Sequence, residues 1–301
     1  MAVDHHNQLL LITGATGHQG GAVVRQTVER GFRVRALVRN PQKPAARKLE
    51  NEGVEIAQGD FDDRASLDRA LEGCHGVFSV QDFHSEGYVG EVRQGKAIAD
   101  AAKAAGVRHF VYSSVGNANR NTGISHFESK WEIEQYLSSI RIPHTVLRPV
   151  FFYYNYEAMR PSINQGALAM PLSPDTKLCQ VSEDDYGRIV AMVFEDPETY
   201  LGRQFDVASS QPTMREVVQT FTRVLGRPVE YQRLQWDDFK KQAGEELTRM
   251  FQWFEAVGYH VDFGDLWRRF GDLTDLETYL RQHGWGTAST APATAQHAVG
   301  S

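Results

Sequence analysis

The feature that most constrains this chain is a short glycine turn, Gly14-Ala15-Thr16-Gly17-His18-Gln19-Gly20. It lies between an apolar run, LLLIT at 9–13, and a helical pattern over about 17–30. A strand that passes into a helix through three glycines forms a tight turn and leaves no Cβ in the way of a close-approaching pyrophosphate. The helix start behind it presents free N–H groups and the positive end of the helix dipole. Thr16 and Gln19 add side-chain hydrogen bonds. The spacing is GxxGxxG rather than GxGxxG. Three glycines alone make only a turn; between strand and helix they predict a dinucleotide site.

The same alternation continues for about 150 residues. Strand patterns at 33–38, 54–58, 77–80, 109–112 and 144–147 are separated by helical patterns at about 41–51, from Asp62 or Asp63 to Gly73, 89–105 and 126–139. Repeated βαβ units predict an α/β fold with a Rossmann-type, doubly wound parallel sheet. After Pro149 the pattern changes to the aromatic FFYYNY at 151–156, a Pro/Gly-marked loop to about 176, and a strand-like KLCQV at 177–181. A helix at about 185–195 and a strand at 204–207 follow, then a helix at 213–225, a strand at 229–234 and mostly helix to Gly284. The expected organisation is a dinucleotide-binding domain over 1–150 and a smaller, interleaved α/β domain over 151–286. Its segment at about 178–208 should return to the first sheet. The Ala/Thr/Ser-rich stretch 287–301 reads as a disordered tail.

Composition narrows the function classes. With 32 Lys and Arg against 38 Asp and Glu, the net charge of −6 argues against general binding to nucleic acid. No apolar run reaches the roughly 18 residues of a membrane span, and MAVDHHNQ lacks the apolar core of a signal peptide. The expectation is a cytoplasmic protein. Cys74 and Cys179 fit no metal spacing and read as small buried apolar residues. His, Asp and Glu elsewhere form no metal cluster; His5-His6 reads as a terminus and Glu245-Glu246 as a solvated helix face.

The second strand ends Leu37-Val38-Arg39-Asn40, without the acid that would hold a ribose 2′-OH. Arg39 can instead pair bidentately with a 2′-phosphate, which points to NADP(H). The other reading is a solvated basic helix start shared with Lys43, Arg47 and Lys48. Asp60-Phe61, after the third strand, suits an adenine or is simply a loop before a helix cap. Short-chain dehydrogenases use a Tyr-x-x-x-Lys pair on one helix face, with a serine ending the preceding strand. Here Ser113 and Ser114 end the fifth strand and Lys130 is present, but the position four before it is His126. His126 is either a proton donor or a packing residue at the helix start. Lys130 is a ribose or nicotinamide contact or an exposed helix lysine. Gln81, Asp82 and Phe83 leave the fourth strand, and Phe152, Tyr153, Tyr154 and Asn155 leave the sixth. Both segments suit a planar, partly polar ring, or the core of the second domain.

The segments LLITGATGHQGGAVV, VRALVRNPQK, VEIAQGDFDD and LEGCHGVFSV resemble the NmrA-like family of atypical short-chain dehydrogenases. HFESKWEIEQYL followed by HTVLRPVFFYYN is similar to the NADPH-sensing branch of that family. The resemblance implies an NADP-binding Rossmann domain with a small C-terminal α/β domain. It implies cofactor contacts at Gly14, Ala15, Thr16, Gly17, His18 and Gln19, and at Arg39, Asp60, Phe61, Gln81, Lys130, Phe152, Tyr153, Tyr154 and Asn155. In the sensing branch the histidine-for-tyrosine change is shared, and conformation and association report the NADPH/NADP⁺ ratio. Other members reduce quinones, dyes or other small molecules without the tyrosine. Two functions are therefore expected: an NADP(H)-binding redox sensor acting on a regulatory protein partner, or an NADPH-dependent reductase of a small acceptor. A homodimer is compatible with both.

Overall fold

The computed structural model describes residues 7–286, so His5-His6 and the stretch 287–301 lie outside the described residues. The first half runs β1 (Leu9–Ile12), α1 (His18–Glu29), β2 (Arg33–Val38), α2 (Pro44–Asn51), β3 (Glu55–Gln58), α3 (Arg64–Leu71), β4 (Cys74–Ser79), α4 (Phe83–Ala104), β5 (His109–Ser113), α5 (Ser125–Ser139) and β6 (His144–Pro149). Then come β7 (Phe151–Phe152), α6 (Arg160–Ile163), β8 (Ala167–Met170), β9 (Gln180–Val181), α7 (Glu183–Glu195), α8 (Pro197–Tyr200) and β10 (Gln204–Val207). The chain continues through α9 (Met214–Leu225), β11 (Glu230–Arg233), α10 (Trp236–Ala256), α11 (Phe263–Phe270) and α12 (Leu276–Gln282).

Seven strands form the main sheet in the order β10-β6-β5-β4-β1-β2-β3, every pair parallel. Leaving β1 the chain winds one way through β2 and β3, then the other way from β4. The strand order therefore reverses between β1 and β4, where open sheets bind ligands at the carboxyl edge. Alternate side chains of each strand serve opposite faces. Leu9 and Leu11 join Leu67, Ile98, Ile133 and Leu137 under α3, α4 and α5. Leu10 and Ile12 join Val23, Ile189 and Val190 under α1 and α7. Burial on both faces explains why the central strand β1 reads as a continuous apolar run.

The structure corrects several local expectations. The segment 157–176, read as loop, contains β8, which pairs with β11 in a separate two-stranded sheet. KLCQV does not return to the main sheet: only Gln180–Val181 is strand, and it pairs with β7. The Val150 amide makes the last bond to β10, at Val207 O, and beyond it the chain peels away to meet β9. Helix α4 starts at Phe83, before the expected position, because Asp82 caps it and the chain bends at Gly87 (φ 65°) instead of ending.

His109 opens β5 and is buried. The Thr145 hydroxyl donates to Tyr200 O at 2.8 Å, so its oxygen accepts from His109 Nε2–H, also at 2.8 Å. Nδ1 is buried without a partner, and protonation there gains nothing. Burial, helped by His75 and His144, pushes the imidazole down to about 4. The folded value lies below the unfolded one, so the stabilisation is complete above the ordinary value of about 6.5 and is lost as pH falls toward 4. Between pH 7 and 4.5 His109 should cost about 2 to 3 kcal/mol. Urea unfolding of the wild type and His109→Gln at both pH values checks this: the variant should lose that part of the acid sensitivity, and equal pH slopes would refute it.

Candidate functional site

At the switch point Thr13 links the two central strands. Its amide donates to Phe78 O, its hydroxyl donates to Val80 O at 3.0 Å, and it accepts from the Val80 amide at 2.8 Å. The chain then turns at Gly14, whose φ is 62°, and the Gly17 amide closes onto Gly14 O at 2.9 Å. A Cβ on Gly20 would lie 2.3 Å from Gly14 O, so helix α1 approaches the turn as closely as backbone allows. Helix α1 begins with no side-chain cap and no acidic residue in its first turn. Its first N–H groups are therefore open to an anion.

Across the turn lies the end of β2. Arg39 and Lys43 are exposed, and neither is in an ion pair with another described residue. Their basic neighbours are engaged: Arg47 bonds Gln42 and Lys48 pairs with Glu52. Asp60 Oδ1 accepts from the Asp62 amide at 3.0 Å, and Phe61 beside it is half-buried.

At the other end, Gln81 is buried and its amide nitrogen donates to Ser79 Oγ at 2.8 Å, while its Oε1 has no partner. Asp82 accepts from the His84 amide and the Ser85 hydroxyl, at 3.1 and 2.6 Å, so it serves as the cap of α4. Ser113 donates to Gln19 Oε1 at 2.9 Å and accepts from Tyr186 OH at 2.7 Å. Lys130 Nζ lies 2.6 Å from Oε1 of the buried Glu91. His126 Nδ1 lies 2.8 Å from Glu246 Oε1, which also accepts the His126 backbone N–H at 3.0 Å. Burial lowers the His126 pKa, Lys130 and His84 act in the same direction, and Glu246 opposes them.

One cleft of about 620 Å³ joins these features. It is lined by Gly14, Thr16, Gly17, His18, Gln19, Gly20, Arg39, Asp60, Phe61, Gln81, Asp82, Phe83, His126, Lys130 and Tyr154, and also by Lys43, His84, Ser113 and Ser114. Of the residues expected from the sequence, Ala15, Phe152, Tyr153 and Asn155 do not line it. The Ala15 side chain is buried beneath the turn. Phe152 packs edge-on against Tyr186. The Tyr153 hydroxyl is shared with Ser210 at 2.8 Å. Only Tyr154 of that segment reaches the cleft, stacked on His18 with ring centroids 4.3 Å apart. The sequence reading missed Glu91, Tyr186 and Glu246. Glu246, taken for a solvated position beside Glu245, is turned onto His126; Glu245 does pair at the surface, with Lys240.

The family model of the NmrA-like family matches residues 6–280. The chain belongs to the NmrA-like family. Among its relatives, an NmrA-like family domain-containing oxidoreductase of Aspergillus hancockii is 32% identical over 80% of this chain and 79% of the relative. Quinone oxidoreductase 2 of Escherichia coli is 29% identical over 77% and 79%. The crystal structure of NADPH-dependent quinone oxidoreductase from Escherichia coli complexed with NADPH has a TM-score of 0.77 at 25% identity, covering 92% of this chain and 99% of that one. As an NmrA-like chain it keeps the lysine of the Tyr-x-x-x-Lys pattern at Lys130 and carries His126 where the tyrosine would stand. Among its described residues no helix is long and apolar enough to cross a membrane.

Proposed function

We propose that this chain binds NADP(H) in the cleft and reduces a small acceptor of the quinone or dye class. The residues fit the cofactor: Gly20 has no room for a side chain, the start of α1 is uncapped, and Gln81 offers a buried acceptor without a partner. Gly14, Thr16, Gly17, His18 and Gln19 would hold the pyrophosphate, Arg39 with Lys43 the 2′-phosphate, and Asp60 and Phe61 the adenine. Gln81, Lys130 and Tyr154 would meet the nicotinamide end. Bound there, NADPH supplies a hydride. Residues 1–150 then form the dinucleotide half, and residues 151–286, interleaved through about 178–208, form the acceptor side.

The observation that carries the reductase reading is the His126–Glu246 pair at 2.8 Å, in the same cleft as Lys130. A buried imidazole oriented by a carboxylate is suited to proton exchange, and the relatives named as oxidoreductases agree with it. The test is NADPH oxidation against quinones, dyes and aldehydes, with His126→Ala and Lys130→Ala alongside. Turnover of about 1 s⁻¹ or more, lost in Lys130→Ala, supports the reading; protein that binds NADPH yet oxidises none with any acceptor refutes it.

The second reading, a redox sensor, has its own support. The Phe83 ring packs 5.3 Å from the His126 ring, and Lys130 is already paired with Glu91, so this conformation holds both groups engaged. A sensor requires NADPH and NADP⁺ to favour different conformations. They should then change the scattering profile, the homodimer population or the binding of a protein partner; identical profiles and identical association with either cofactor rule it out.

Arg39 gives a prediction common to both readings. Charge-assisted hydrogen bonds contribute roughly 1.5–3 kcal/mol. Arg39→Ala should therefore weaken NADPH by about ten- to a hundredfold and leave NADH affinity unchanged, as read by titration calorimetry.

A further inference from the structure

We propose that Glu246 is a positioning residue: its carboxylate holds His126 with Nδ1 protonated, leaving Nε2 as the ring nitrogen that exchanges a proton with the acceptor oxygen. The inference rests on the reductase reading and adds a residue to it. One oxygen of Glu246 receives two donors from the same residue, the His126 ring at 2.8 Å and the His126 backbone N–H at 3.0 Å. A carboxylate only accepts, so Nδ1 carries the hydrogen and the tautomer is determined. The ring is confined between Phe83, 5.3 Å away, and Phe127, at 4.9 Å and nearly perpendicular. Its side chain is 14% exposed, and the residue lines the cleft.

The carboxylate is delivered by a break in a helix. Helix α10 bends at Gly244, with φ 84° and ψ 171°, so Glu246 sits in the first turn of a new segment. The Thr248 hydroxyl donates back to Gly244 O at 2.7 Å, and buried Phe251 and Phe254 anchor the segment. Arg249 reaches Gly123 O at 3.2 Å, just before α5. The new segment is thereby set against the start of the helix that carries His126.

The proton balance is simple. The acceptor gains the hydride that NADPH would supply, that is one proton with two electrons, and its oxygen becomes anionic. The Nε2–H bond of the imidazolium breaks and the proton goes to that oxygen. His126 is left neutral, with Nδ1–H still on Glu246, and takes its next proton from water. The charged and titratable groups facing His126 are Glu246 from α10, Lys130 from its own helix and His84 from α4. Glu246 alone favours the imidazolium. Removing its charge therefore moves the titration of His126 down, and the fall of kcat/KM with rising pH moves down with it.

The decisive variant is Glu246→Gln, whose amide oxygen still accepts both bonds but without charge. The first measurement is nitrogen-15 NMR titration of the full chain labelled at histidine, with His126→Asn for assignment and no acceptor present. Expected are an Nδ1–H tautomer in the wild type and a His126 titration lowered by about one pH unit in Glu246→Gln. The second is the pH profile with the best quinone or dye. The falling arm should move by the same amount and kcat should drop, with NADPH affinity unchanged. A wild type without the Nδ1–H tautomer, or an unchanged titration in Glu246→Gln, overturns the positioning role. A shifted titration with an unshifted arm overturns it as well, in a protein whose reductase reading still stands. A shifted titration in Glu246→Gln, beside a wild type that turns over no acceptor, overturns the reductase reading, and the proton transfer with it, leaving only the pairing.

Discussion

Arg148→Met is expected to lower the stability of this protein by about 3–5 kcal/mol, the cost of leaving one member of a buried ion pair alone. The Arg148 and Glu134 side chains are 4% and 1% exposed. Two bonds join them, Nε to Oε1 at 2.9 Å and Nη2 to Oε2 at 2.5 Å. Arg148 also donates to Gln204 at 2.7 Å, and the Ser114 hydroxyl donates to Glu134 at 2.5 Å. The cluster thereby joins α5 to β6, to β10 at the sheet edge, and to the serine that follows β5 and lines the cleft. With methionine at 148, Glu134 keeps only a hydroxyl partner in a dry interior. The double variant Arg148→Met/Glu134→Leu removes both charges and should recover most of the loss, since a buried pair is often no better than an apolar replacement of similar volume. Guanidinium unfolding of the three proteins is the check. A single variant within about 1 kcal/mol of wild type, the range of an exposed pair, would mean that water reaches the cluster.

The largest expected effect on binding is at Gly20. Its added Cβ would lie 2.3 Å from Gly14 O and 2.4 Å from Gly14 C. These are backbone atoms, so no side chain can swing aside; helix α1 must move off the turn or the turn must open. Overpacking of this kind costs about 1–3 kcal/mol or more, and the displaced groups are the amides assigned to the pyrophosphate. Gly20→Ala should therefore weaken NADPH by about a hundredfold, which corresponds to roughly 3 kcal/mol. Gly21→Ala is the control, because its Cβ would meet Ala15 O only at 3.4 Å and Gly21 lies inside helix α1 without lining the cleft. Titration calorimetry on both variants, with circular dichroism to verify folding, should separate them. Equal losses in the two would show that the close approach at Gly20 is not what shapes the turn.

Much of the fold could be read from the chain because its causes are local. Strand β2 falls at residues 33–38 and β10 at 204–207, as the sequence indicated: β2 ends in the buried apolar run Ala36–Val38, and β10, at the sheet edge, alternates buried Phe205 and Val207 with the more exposed Gln204 and Asp206. Asp63 caps α3 through the Ser66 amide, one of the two residues its spacing allowed. The short strands were harder. Ala167–Met170 was read as loop, and of the strand-like KLCQV only Gln180–Val181 is strand. They are strands only because Glu230–Arg233 and Phe151–Phe152 come alongside.

The site divides in the same way. The glycine turn, Arg39 at the end of β2 and Lys130 with His126 one turn apart on a helix were legible because each depends on neighbours in the sequence. FFYYNY was legible only as aromatic. That Tyr154 reaches the cleft while Phe152 and Tyr153 turn into the core follows from the packing of α7 and of the Ser210 segment. The sequence by itself determined where a dinucleotide can lie, through turn sterics, an open helix terminus and a basic residue in place of an acid. Tertiary structure decided what the groups at its far end can do. The partners of Lys130 and His126 are Glu91 and Glu246, 39 and 120 residues away, and no periodicity or spacing encodes a carboxylate brought in by a bent helix from the other end of the chain.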